Sequence, residues 1–145
     1  MPDRNERWAL NRLIEICRDE ELTLRLSADY VKDQAIRTLL LDLASARARF
    51  AAALLPHAQR LGGADAADAT MRGTLHRRWM VVKGALMGYD DRALIAEAEH
   101  DEDLAVATYD DALGDMLPPT VRDLVEQQRA EIGAARARLH DMLTH

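Results

Sequence analysis

Apolar residues recur along this chain at steps of three and four, the period of a helix face, and no stretch alternates as a strand would. One stripe reads Leu10, Ile14, Cys17, Glu21, Leu24, Ala28, Val31. It predicts a helix that begins after Asn5, a good N-cap, and ends near Val31. Asp33 then caps a second helix over residues 34–61, with Ile36, Leu40, Leu43, Ala46, Phe50, Ala53 and His57 on one face. Pro56 lies late in that helix and is expected to kink or loosen its last turn, and Gly62-Gly63 stops it.

Residues 64–70 are small and polar, a loop. A shorter helix is expected over residues 73–87, with Leu75, Trp79, Val82 and Leu86 inward and Gly88 as its stop. Asp90 or Asp91 starts the next helix, whose stripe is Leu94, Ala98, Glu102, Ala105, Tyr109, Ala112 and which runs to about Gly114. Leu117-Pro118-Pro119 is a rigid break. Thr120 is the expected N-cap of a final helix to about Leu143, with Val121, Leu124, Gln128, Ile132, Ala135, Leu139 and Met142 along one face.

Short connections make the first two helices antiparallel neighbours, and likewise the last two. The long middle stretch leaves enough chain to travel back along the bundle. The expected fold is all-α, a ferritin-like four-helix bundle with a crossover connection containing one extra short helix, in a single domain spanning residues 1–145.

Glu21 and Glu102 interrupt these apolar seams, and a carboxylate facing a bundle core is costly unless paired, protonated or bound to metal. A dinuclear carboxylate site needs a glutamate from each of two helices and a Glu-x-x-His pair from each of the other two. Glu21 and Glu102 fit the single-glutamate roles. An internal echo, Asp19-Glu20-Glu21-Leu22 against Asp101-Glu102-Asp103-Leu104, aligns Glu20 with Glu102 instead, but the stripe selects Glu21.

The other ligands are missing. The second helix offers Ala46-Arg47-Ala48-Arg49-Phe50 at mid-height, and the last offers Gln128 and Glu131 without an imidazole. Glu97-Ala98-Glu99-His100 has the right spacing but lies mostly off its apolar stripe. Two readings follow: a metal site of Glu21, Glu102, Gln128 and Glu131 holding iron or manganese, or a metal-free centre in which Arg47 or Arg49 reaches the carboxylates. The metal-free reading, with no cofactor and no catalysis, is preferred.

Aromatic residues make up only 4% of the chain, apolar ones 48%, and alanine is frequent, so helices can approach closely. The single cysteine, Cys17, falls on an apolar stripe and reads as a core residue. A net charge of −6 argues against general nucleic-acid binding. Arg72, Arg77, Arg78 and Lys83 lie in a stretch without acids and offer a face for an anion or an acidic protein partner, with a solvated surface the preferred reading. His57, His140 and His145 are expected in solvent, and His76 sits among arginines. Trp8 and Trp79 read as packing anchors, and Trp8, near an end of the chain's first helix, is a candidate for a dimer contact. No stretch approaches the ~20 apolar residues of a membrane span, and no signal-peptide pattern opens the chain, so a cytoplasmic location is expected. Apolar residues outside the main stripes (Leu22, Leu26, Leu41, Leu54, Met80, Val81) suggest a homodimer.

Leu75-His76-Arg77-Arg78-Trp79-Met80, Gly88-Tyr89-Asp90-Asp91, the run from Ala96 to Asp103 with Tyr109 beyond it, Leu117-Pro118-Pro119-Thr120-Val121-Arg122 and Val125-Glu126-Gln127-Gln128 together resemble a bacterial family. It is a family of ferritin-like four-helix-bundle proteins of unknown function. The resemblance covers roughly residues 10–139 and implies a ferritin-like bundle, a suspected stress-related role and no established activity. Its glycine-glutamate step maps onto Glu21 and Glu102. This chain departs from it with Glu20 and Asp101 where glycine is common and Arg136 where histidine is frequent.

Overall fold

The computed structural model describes residues 2–61 and 90–144, with side chains from Glu6 onward. All of its regular structure among the described residues is helical: α1 (Pro2–Tyr30), α2 (Gln34–Arg60), α3 (Asp91–Leu113) and α4 (Pro119–Thr144). The expected short helix over residues 73–87 lies outside the described residues, as do the basic residues Arg72, Arg77, Arg78 and Lys83.

The ends of the helices follow their capping chemistry, with two corrections. Asp33 caps α2, its carboxylate accepting from Ala35 N at 2.8 Å and Ile36 N at 3.2 Å. Asp90 caps α3 by accepting from Ala93 N at 3.1 Å. Asn5, however, lies inside α1, because Pro2 is well suited to a first turn and the helix starts there. Thr120 is likewise helical rather than a cap: Pro119 occupies the first position of α4, and the Pro118 carbonyl accepts from Arg122 N at 2.8 Å. Pro56 lies within α2 and the helix continues to Arg60.

Cross-helix bonds fix the directions. Lys32 N and Asp33 N, at the turn between α1 and α2, donate to the Asp91 carboxylate at 2.8 and 2.9 Å, so that turn meets the start of α3. Cys17 meets Tyr109, and Gln128 meets Phe50. These contacts make α1 antiparallel to α2 and to α3, and α4 antiparallel to α3 and to α2. Around the bundle the order is α1, α2, α4, α3. The α2–α4 seam is the most open of the four.

The interior is two apolar clusters. One contains Leu10, Leu13, Ile14, Phe50, Leu54, Tyr109, Val125 and Ile132; the other contains Leu24, Leu40, Leu43, Leu94, Ile95 and Leu139. Leu54, expected on an outer face, is fully buried. Burying such side chains contributes about 1.5–3 kcal/mol each before ordering costs are subtracted. Between the two clusters lies a layer of charge.

Candidate functional site

The inward glutamate of α1 is Glu20. Its side chain is fully buried, whereas Glu21, the residue expected there, is partly exposed and accepts from Arg25 Nε at 2.9 Å one turn along. Both positions fit the helical period, since Glu20 is three residues past Cys17 and four before Leu24, and Glu21 is the reverse. The decision comes from α1 being packed on two sides, by α2 and α3, which draws its buried face around to include Asp19, Glu20, Thr23 and Ser27. The internal echo is the better guide here. Asp19 and Asp101 are buried, Glu20 and Glu102 are buried, and Glu21 and Asp103 face outward to arginines, Arg25 and Arg136.

Arg47 of α2 projects into this layer and is itself buried, at 1% exposure. Its Nε donates to Glu20 Oε1 at 3.3 Å and its Nη2 donates to Glu102 Oε2. One guanidinium thus bridges carboxylates from two different helices, using the geometric fit of its planar donors. Burial works against its charge, but the Glu102 and Glu20 carboxylates outweigh this and hold its pKa above the ordinary value. For Glu102 the balance is reversed: burial pushes its pKa up, against the pull of Arg47. Its Oε1 is buried and meets no hydrogen-bond donor among the described residues.

A neutral chain of polar groups adjoins the charged layer. The Tyr109 hydroxyl donates to Gln128 Oε1 at 2.7 Å, and Gln128 Nε2 donates to the Phe50 carbonyl at 3.3 Å. Cys17 Sγ lies 3.2 Å from the same hydroxyl; with the Tyr109 proton spent on Gln128, the thiol is the donor. Burial pushes the Cys17 thiol up to about 12 and Tyr109 well above its usual range, so both stay neutral near pH 7. A thiol in that state is a poor nucleophile.

Of the expected ligand set, Glu102 and Gln128 are therefore in the core, and Glu21 and Glu131 are not. Gln128 spends its amide on Tyr109 and Phe50. Glu131 is exposed at the α2–α4 seam. Among the described residues, no three His, Cys, Asp or Glu side chains gather as metal ligands. Arg49, the other candidate counter-ion, is exposed; its guanidinium lies 5.7 Å from the centre of the Phe50 ring, which has Arg47 at 5.5 Å. His140 bonds Glu99 Oε1 at 2.9 Å across α3 and α4, while His100 is exposed and Arg136 pairs with Asp103 at the surface. Trp8, read from sequence as an anchor, is 60% exposed and stacks with Arg12.

No curated protein matches the chain. Residues 6–115, however, match a family model described as a Domain of unknown function (DUF2383), a span that takes in α1 from Glu6 onward, the charged layer and α3 and stops ahead of α4. By that match over most of its length, the chain belongs to this uncharacterised family.

Proposed function

We propose that this protein is a non-catalytic binding or structural module: a ferritin-like bundle whose central carboxylates are bridged by an arginine instead of a metal. The observation that carries the reading is the Arg47 guanidinium lying between Glu20 and Glu102. The donor set fits iron or manganese poorly, because a fixed positive charge stands where the two carboxylates converge and the nearby Gln128 is already committed. The ferritin-like relationship draws on helix directions: α2 and α3 start at the same end, as a crossover connection requires. The resemblance noted above adds a stress-linked role to the proposal, and a cytoplasmic setting is proposed with it. No described helix is long and apolar enough to cross a membrane.

The test is elemental analysis of protein made in iron- and manganese-supplemented medium and purified without chelator, with melting followed after adding either ion. Substoichiometric metal and an unchanged Tm are expected. Stoichiometric metal that raises the Tm overturns the reading. It would favour the second one, an iron or manganese carboxylate protein for oxidation or metal storage, whose support is the inward pair Glu20 and Glu102 on neighbouring helices.

A homodimer belongs to the same proposal. Its support is the set of large apolar side chains left at the surface, Trp8, Tyr30, Leu41, Leu104 and Met116. Light scattering at micromolar concentration should give twice the 16.2 kDa chain mass, and a monodisperse monomer removes this part.

A further inference from the structure

Where α2 and α4 stand apart, they enclose a cleft of about 310 Å³, at the small end of the range for small-molecule sites. Leu43, Phe50 and the Arg47 side chain lie along it, and the alanines facing it leave room. Arg47 gives Nε to Glu20 and Nη2 to Glu102, so Nη1 is engaged by neither glutamate. Arg47 lines the cavity, so this nitrogen is left as a donor for a ligand oxygen; with two carboxylates already on it, the guanidinium supplies a hydrogen bond and no net positive charge.

The rim carries four further charges, Asp42 and Arg49 from α2, Glu131 and Arg138 from α4. All four are exposed, and none is in an ion pair among the described residues. Their register follows from the Gln128–Phe50 bond. In antiparallel helices, Arg49 and Glu131 are then level to within ~3 Å along the axis, as are Asp42 and Arg138, and the two pairs are ~10 Å apart. Each end of the cleft thus presents one cation and one anion on opposite walls that do not touch.

We propose that this cleft binds a small zwitterion, an α-amino acid or a molecule carrying the same neighbouring ammonium and carboxylate. The carboxylate is held by Arg49 with Arg47 beneath it, the ammonium by Glu131, and the side chain lies along Leu43 and the alanines. A simple anion would leave Glu131 repelling it, and a simple cation would face Arg49. Only a ligand with both charges satisfies both walls. The inference rests on Arg47 remaining the central cation.

The experiment is titration of the intact chain with each of the twenty common amino acids, read by calorimetry and by shifts in its amide NMR spectrum. For any amino acid that binds, its deaminated acid and its decarboxylated amine are titrated in parallel. At least one amino acid is expected to bind, with both single-charge analogues weaker by about tenfold or more. Arg49→Ala and Glu131→Ala, both at exposed positions, should each weaken binding by a similar factor while leaving the Tm unchanged. Silence from all twenty overturns the proposal, as does equal binding of the deaminated acid, which would mark a plain anion site. A metal-loaded preparation would defeat the metal-free reading; a metal-free one that ignores every amino acid defeats only this inference.

Discussion

Removing the guanidinium of Arg47 leaves the Glu20 and Glu102 carboxylates buried without the cation that bridges them. Breaking a buried pair from one side costs about 3–5 kcal/mol, because the charge left behind keeps its desolvation penalty. Arg47→Met should therefore lower the unfolding free energy by about that amount in urea at pH 7. Adding Glu20→Gln and Glu102→Gln to it should restore most of the loss; a triple variant as unstable as the single one would refute the ion-pair account. Glu102 also sets a pH dependence. Its folded pKa is raised above the ordinary 4.5, so the folded state binds the proton more tightly than the unfolded one. Its contribution is complete below 4.5 and is lost as pH rises through the folded value. Glu102→Gln should flatten the fall in stability over that window, measured by urea unfolding at a series of pH values. For Cys17, with its thiol pushed to about 12, labelling by a thiol reagent at pH 8 should be no faster than global unfolding.

At the scale of the helices, the acidic residues at the turns act as joints. Asp91 accepts two backbone N–H bonds from Lys32 and Asp33, fastening the α1–α2 turn to the start of α3. Those two bonds, with Lys32 and Arg37 nearby, hold its carboxylate below the ordinary 3.8. The sign is opposite to that of Glu102: stability is present above 3.8 and lost as pH falls through the lowered value. Asp91→Ala should therefore destabilise at pH 7 and approach wild type in strong acid, as read by Tm against pH. Asp33→Ala removes the α2 cap and should cost about 1 kcal/mol. The Asp33 cap was legible beforehand, since it stands directly ahead of an apolar-periodic run, whereas the start of α3 was narrowed only to Asp90 or Asp91. Stripe membership was less so. On α2 the expected Ala46, Ala53 and His57 give way to buried Arg47, Leu54 and Ala58, each one residue on, the same kind of slip that put Glu21 in place of Glu20. A step of three and a step of four both stay on one face, 40–60° to either side of the line, so periodicity alone leaves the choice between adjacent residues open.

The whole molecule depends on α4 although the family match ends at residue 115. α4 supplies Val121, Val125, Ile132 and Leu139 to the two apolar clusters and Gln128 to the polar chain beside Arg47. A chain ending at residue 115 should lose cooperative thermal unfolding and bind a hydrophobic dye, as an opened bundle does. A sharp melting transition from that fragment would show that α1–α3 form a core without it. The all-helical architecture, the long helices and the presence of carboxylates in the seams were set by the sequence itself, because apolar period, caps and proline breaks act within a few residues. Which carboxylates turn inward, that one arginine meets both, and that a charged cleft stays open between α2 and α4 were decided only by tertiary packing. Each depends on which helices flank a given face and how closely they approach, and no single helix contains that information.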